Sequence, residues 1–174
     1  GGVKVQPTAI IKIVDRNGQV VEENSIQEKR VVEEKDAAII TDMLESVITG
    51  GTGGNAAIGR PAAGKTGTTD DSKDAWFVGY TPYYVAATYI GDDAGTKDTS
   101  GNIIPRRSVE GTSGTAAALW ASVMGPIHEN LTVAKFTKPD GVYFAKINTT
   151  DGGTSSYGVS AAFIDGTSPS RASS

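Results

Sequence analysis

Cysteine is absent from the 174 residues, which excludes disulfides, thiolate metal sites and a cysteine nucleophile but leaves the cellular compartment open. There is one histidine, His128, too few for an imidazole metal centre or a classical catalytic triad, and its place just past Pro126 reads as surface. Long apolar runs are missing as well. The longest, Ala116 to Met124, is interrupted by Ser122 and is too short to cross a bilayer. No charged start followed by an apolar core marks a leader, so any membrane anchor is expected outside this chain. Basic clusters are equally scarce: 16 Lys and Arg stand against 20 Asp and Glu, for a net charge of -4. Without a basic stripe to neutralise phosphates, a nucleic acid is excluded as partner. The opening Gly1-Gly2-Val3 has no initiator methionine, and a start inside a longer polypeptide is the expectation.

What is present is an ordinary globular composition, 38% hydrophobic and 21% charged, with 22 glycines that favour strands and turns over helical bundles. A chain of this length buries roughly 70% of its unfolded surface, enough for one domain with a real core. Residues 8 to 15 are β-branched, and Asn17-Gly18 offers a positive-φ turn, so the first thirty residues predict a hairpin. From Asp36, read as an N-cap, the apolar residues Ala37, Ile40, Leu44, Val47 and Ile48 recur at helical spacing and stop at Gly50-Gly51. A glycine-rich loop to Gly59 leads into three strands: Lys65 to Thr69, Ala75 to Tyr80, and Tyr83 to Ile90. The aromatic residues of this meander, Trp76, Phe77, Tyr80, Tyr83, Tyr84 and Tyr89, read as packing on alternating faces, with Trp76 a candidate for a cleft border.

Residues 92 to 112 predict a surface loop that includes Asp92-Asp93, with Arg106-Arg107 as a solvated face. A second helix is expected from a Ser113 cap to Met124, stopped by Gly125-Pro126. Short strands follow, with turns at Pro139-Asp140-Gly141 and Asp151-Gly152-Gly153. The fold class is α+β, an antiparallel sheet flanked by helices. Its expected organisation is a main portion over 1–127, a strand and turn extension over 128–166, and a flexible tail over 167–174.

Residues Gly59 to Thr66 spell the phosphate-loop pattern G-x-x-x-x-G-K-T. A phosphate loop needs a buried strand before it and a helix N-terminus after it. The flanks here are a glycine-rich loop and the strand-forming Thr66, Thr68 and Thr69, which argue against a nucleotide triphosphatase. Lys65-Thr66-Gly67 is instead the third of the motifs S-x-x-K, S-x-N and K-T-G of penicillin-recognising serine enzymes. The wider run, Ala63-Gly64-Lys65-Thr66-Gly67-Thr68-Thr69 followed by Asp74-Ala75-Trp76-Phe77-Val78-Gly79-Tyr80-Thr81-Pro82, resembles the strand pair of class A (bifunctional) penicillin-binding proteins. Gly51-Thr52-Gly53, Pro139-Asp140-Gly141-Val142 and Phe163 to Pro169 extend the likeness along the chain.

The resemblance implies the C-terminal part of a transpeptidase domain of the penicillin-binding and serine β-lactamase kind. Its parent would cross-link peptidoglycan stem peptides ending in D-Ala-D-Ala through an acyl-serine, be acylated by β-lactams, and use no cofactor and no metal. It would be anchored at the outer face of a bacterial cytoplasmic membrane and carry a glycosyltransferase domain. By the same likeness the substrate-binding residues are Lys65, Thr66, Gly67 and Thr68: the two threonine hydroxyls hold the substrate carboxylate, and the Thr68 backbone N–H completes an oxyanion hole. An edge strand with Gly67 lets a substrate backbone lie alongside, and Lys65 supplies a fixed positive charge.

No Ser-x-x-Lys occurs in this chain. Thr132-Val133-Ala134-Lys135 and Ser100-Gly101-Asn102 imitate the two other motifs but follow Lys65 in the chain, the wrong order for the family. The chain alone is therefore expected to be inactive, its partner being the N-terminal part of the same domain. A non-catalytic wall-peptide-binding scaffold is the competing reading.

Overall fold

Alternation of small and large apolar residues along Asp74 to Tyr80 makes one face of a strand buriable, and the rest of the fold is arranged around that face. The computed structural model describes residues 1–92, 95–109 and 111–170. In chain order its strands and helices are β1 Val3–Val5, β2 Lys12–Val14, β3 Val20–Glu23, β4 Glu28–Arg30, α1 Glu34–Thr49, β5 Ala63–Thr68, β6 Asp74–Tyr80, β7 Val85–Gly91, α2 Thr112–His128, β8 Val142–Ile147 and β9 Val159–Ile164. The α+β class read from the sequence is what the structure shows, with every strand pairing antiparallel.

The central sheet has the order β5-β6-β7. Pairing of Gly67 with Trp76 and Trp76 with Tyr89 puts these residues on one face, while Phe77, opposite Thr66 and Thr88, points to the other. On that second face Phe77, Ala75, Ile48, Ala56, Ala116, Ala117, Trp120 and Met124 form the core, contributed by the sheet, α1, α2 and the short turn at Gly54–Ala56. Trp120 meets Phe77 edge-on with ring centroids 5.5 Å apart, and its indole N–H donates to the carbonyls of Gly79 and Ala86 at 3.2 Å each. The opposite face stays open: the Trp76 and Tyr89 rings meet at a tilt with centroids 4.7 Å apart but are 43% and 44% exposed, and Val78 and Val85 are 45% and 71% exposed.

The hairpin expected at the N-terminus is present as β2–β3, turning at Gly18 with φ +80°, and it is carried on a second ladder, β1–β4. All of these strand residues are exposed. The C-terminal strands β8 and β9 form a separate two-stranded ladder packed against α1, where the Asp42 carboxylate accepts the Ala162 N–H at 3.0 Å.

Three sequence expectations are corrected. Helix α1 begins at Glu34 with Glu33 as its N-cap, so Asp36 lies in the first turn, where its charge suits the helix dipole. Helix α2 is capped by Gly111 at φ +76° instead of Ser113, and it runs through Gly125-Pro126 to His128. Pro126 removes one donor, but Trp120, Met124 and His128 share a face at four-residue spacing and all are buried, so continuing the helix gains more than stopping it. His128 is not on the surface: it is 0% exposed, its Nδ1–H donates to the Met124 carbonyl at 2.7 Å, and Nε2 lies 2.7 Å from the Thr81 hydroxyl. Among the described residues no helix is long and apolar enough to cross a membrane. Asp93 and residues 171–174 of the expected tail lie outside the described residues.

Candidate functional site

Strand β5 forms because Thr66 and Thr68 are β-branched and alternate with residues that fit under a neighbouring strand. It is an edge strand, paired with β6 on one side only. Within it Lys65 and Thr68 are exposed and Thr66 and Gly67 half-buried. The Lys65 ammonium donates to the Thr66 carbonyl at 2.9 Å and lies 3.4 Å from the Thr66 hydroxyl, which in turn is 2.8 Å from the hydroxyl of Thr52. Just beyond the strand, the Thr69 N–H donates to the Asp74 carbonyl at 3.1 Å. Because backbone donors alternate along a strand, the Thr68 N–H is directed to the other side, along the free edge of β5.

Two glycines in this strand have different reasons. A Cβ on Gly64 would stand 2.5 Å from Phe77 Cζ and 2.9 Å from the Val78 carbonyl oxygen, so packing inside the chain demands glycine there. A Cβ on Gly67 would meet only Trp76 Cβ, at 3.4 Å, an ordinary contact. Among the described residues nothing requires Gly67 to lack a side chain.

The turn that follows is braced from the 92–109 loop. Asp71 and Ser72 have φ of 62° and 53°, unusual for residues with a side chain. Ser108 donates to the Asp71 carbonyl at 3.0 Å, and the Val109 N–H donates to the Ser72 carbonyl at 2.6 Å. The Arg106 guanidinium forks onto the Asp74 carboxylate and also holds the Asp92 carbonyl at 2.8 Å. The Tyr89 hydroxyl donates to Asp74 at 2.7 Å, and Arg107 grips the Asp92 carboxylate through three N–H groups at 3.0 Å each. The expectation of a solvated arginine pair is thus corrected for Arg106, whose side chain is only 26% exposed, while Arg107 stays solvated: the pairing spans 32 residues for Arg106 and Asp74, a separation no local pattern reveals.

Arg106, then Tyr89, hold the Asp74 carboxyl below the usual carboxylate range, and Arg107 lowers Asp92 from 3.8 to about 2. Groups depressed by folding contribute stability above their unfolded value and lose it as the pH falls through the folded value. The Arg107–Asp92 pair is therefore intact at neutral pH and loosens as the pH falls from 3.8 towards about 2, and the Arg106–Asp74 pair likewise weakens only in acid. The NMR shift of the Val109 amide should follow this acid titration and lose the Asp74-linked part in Asp74→Asn; a Val109 signal unchanged down to the acid limit would refute the brace.

The imitation motifs are placed elsewhere. Ser100-Gly101-Asn102 is a tight turn, with the Ser100 and Asn102 N–H groups both donating to Asp98 Oδ1. Thr132 to Lys135 is irregular chain, whose Thr132 carbonyl accepts from Tyr83. The phosphate-loop residues Gly64, Lys65 and Thr66 lie inside β5, and the strand runs on past them to Thr68, with no helix N-terminus to receive phosphates. A cavity of about 510 Å³ opens between α1, Phe136, Lys138 and Val142, where burial and then Asp42 raise Glu45 above its ordinary value; none of residues 65–68 lines it. Among the described residues no cluster could hold a metal ion.

The sequence profile of the penicillin binding protein transpeptidase domain matches residues 1–107. Penicillin-binding protein 1A of Clostridium acetobutylicum is 38% identical over 174 residues, covering 99% of this chain and 18% of the relative. Penicillin-binding protein 1A of Aquifex aeolicus is 45% identical over 93 residues, 53% of this chain and 13% of the relative. The crystal structure of penicillin-binding protein 1A from Haemophilus influenzae superposes with a TM-score of 0.78 at 25% identity, covering 98% of this chain and 31% of that one. The chain thus spans about a fifth of the length of the Clostridium relative it matches. The family match over residues 1–107, with the likeness to these proteins along almost the whole chain, shows that it belongs to the penicillin-binding protein transpeptidase family and forms part of a transpeptidase domain of the class A kind.

Proposed function

We propose that this chain supplies the substrate-binding strand of a serine D,D-transpeptidase that cross-links peptidoglycan stem peptides and is acylated by β-lactams. The observation that carries the reading is the free edge of β5, where Gly67 is unobstructed and the Thr68 N–H faces outward. A stem peptide ending in D-Ala-D-Ala lies along this edge as an added strand. The hydroxyls of Thr66 and Thr68 take its terminal carboxylate, and the Lys65 ammonium holds that charge in its field and biases nearby proton transfers. The Thr68 N–H stabilises the oxyanion that forms when a serine attacks the penultimate carbonyl, a donor worth roughly 3 kcal/mol in the transition state.

The attacking serine and its lysine belong to an N-terminal part of the same domain in a longer parent. The open face of the sheet, with Trp76, Val78, Val85 and Tyr89 exposed, supports such a partner, since apolar surface of this kind gains from being covered. The ladder β8–β9 packs on α1 and is read as an extension, 128–166, of the same domain as 1–127. The parent is read as anchored at the outer face of the cytoplasmic membrane, its anchor outside this chain.

Fluorescent penicillin tests the assignment. The 174-residue chain alone should stay unlabelled, whereas the longer polypeptide should take up label at a serine outside this chain and lose it on competition with a D-Ala-D-Ala peptide. Covalent label on any residue of this chain would sink the proposal, as would a longer polypeptide whose labelling ignores Lys65→Ala.

A further inference from the structure

We infer that Thr52 is a positioning residue for the substrate carboxylate, acting through the hydroxyl of Thr66; the inference rests on the proposed role of β5. Thr52 sits between two glycines whose backbones are pressed against the body of the protein. A Cβ on Gly51 would lie 3.0 Å from Val47 Cα, and one on Gly53 would lie 3.1 Å from both Phe77 and the Val47 side chain. The Gly53 N–H donates to the Val47 carbonyl at 2.9 Å, tying the loop to the last turn of α1. These close approaches bring the exposed Thr52 side chain over β5, where its hydroxyl meets that of Thr66 at 2.8 Å.

Proton direction along this contact follows from Lys65. An ammonium donates only, so with Lys65 Nζ beside the Thr66 oxygen, the Thr66 hydrogen is turned away from it and towards Thr52. When a carboxylate arrives, the Thr66 hydrogen turns to the anion, and Thr52 reverses its role and donates to the Thr66 oxygen. Thr52 therefore holds the Thr66 oxygen in one place in both states and strengthens its hydrogen bond to the anion by polarising it. The Gly-Thr-Gly segment ahead of the strand is in this view part of the carboxylate site: the glycines set the distance and Thr52 supplies the group.

The test uses the full-length polypeptide that carries this chain, with Thr52→Val, Thr52→Ser and Thr66→Val. Acylation is followed with benzylpenicillin and with its methyl ester, each in competition with fluorescent penicillin. Thr52→Val, which keeps the side-chain shape, should slow acylation by the free acid about tenfold, through weaker apparent affinity at an unchanged limiting rate. The ester should be unaffected, Thr52→Ser should restore the acid to within about twofold, and the melting temperature should not move. If Thr66→Val is slowed and Thr52→Val is not, the role of Thr52 is refuted while that of β5 stands. If Thr66→Val is not slowed either, the carboxylate reading of β5 fails and takes this inference with it. Equal slowing of acid and ester in Thr52→Val, with a lowered melting temperature, would mean a purely structural hydroxyl and would overturn the inference.

Discussion

Gly67→Ala in the full-length polypeptide is expected to lower the rate of acylation by penicillin about a hundredfold while leaving the fold intact. The added methyl meets only Trp76 Cβ at 3.4 Å, and glycine in a strand interior is itself unfavourable, so the change in stability should be small, within about 1 kcal/mol either way. The same methyl projects from the edge strand on the Trp76 face, beside where the substrate backbone would lie, and a displacement of about 1 Å there is enough for a hundredfold loss. Gly64→Ala, three residues earlier and on the opposite face of the strand, provides the contrast. Its methyl would stand 2.5 Å from Phe77 and 2.9 Å from a backbone oxygen, so it should destabilise by roughly 1–3 kcal/mol and affect acylation only through folding. Thermal melting and labelling rate, measured side by side, separate the two. A Gly67→Ala protein that labels at the normal rate would mean that substrate does not approach this edge.

The largest effect on stability is expected at Trp120. Its side chain is fully buried, packs on Phe77, and has its N–H shared between two sheet carbonyls, those of Gly79 and Ala86. Trp120→Ala leaves a cavity between α2 and the sheet and should remove roughly 3–5 kcal/mol. Domains have total stabilities of about 5–15 kcal/mol, so a drop in melting temperature of roughly 6–20 °C is expected for a chain of this size, or loss of a cooperative transition altogether. Trp120→Phe refills most of the space and should lose about 1–3 kcal/mol, the share of the unanswered carbonyls and the smaller ring. Phe77 lies opposite Thr66 across the strand pair, so amide exchange in β5 should quicken with Trp120→Ala. A melting curve indistinguishable from the unaltered chain would show that α2 does not pack on this sheet as described.

Much of this organisation is legible without coordinates. The meander from Ala63 to Ile90 alternates strongly and carries an unmistakable motif, and α1 shows a clear helical period, so element type and order follow from local pattern. The strand ends and helix ends are less legible: Asp36 is as good a cap by chemistry as any residue nearby, but the helix starts earlier because the chain leaves β4 only a few residues before Glu34. Pro126 reads as a stop, yet the burial of Trp120, Met124 and His128 on one face carries the helix past it. His128 itself is invisible from the sequence as a buried group because its partner Thr81 is 47 residues away. Arg106 looks like solvated charge for the same reason, its carboxylate coming from Asp74 of β6.

By itself the sequence determined the chemistry available: a Lys-Thr-Gly-Thr strand, no thiol, no second histidine, and no Ser-x-x-Lys in this chain. Those are matters of residue identity and short spacing, where side chains two or four positions apart share a face because the backbone period requires it. The tertiary structure alone decided which glycine is demanded by packing and which is left clear, that Thr52 meets Thr66, and that Arg106 braces the turn after the strand. Contacts of that kind depend on chain segments brought together only when a common core is buried, and a core is a property of the folded whole.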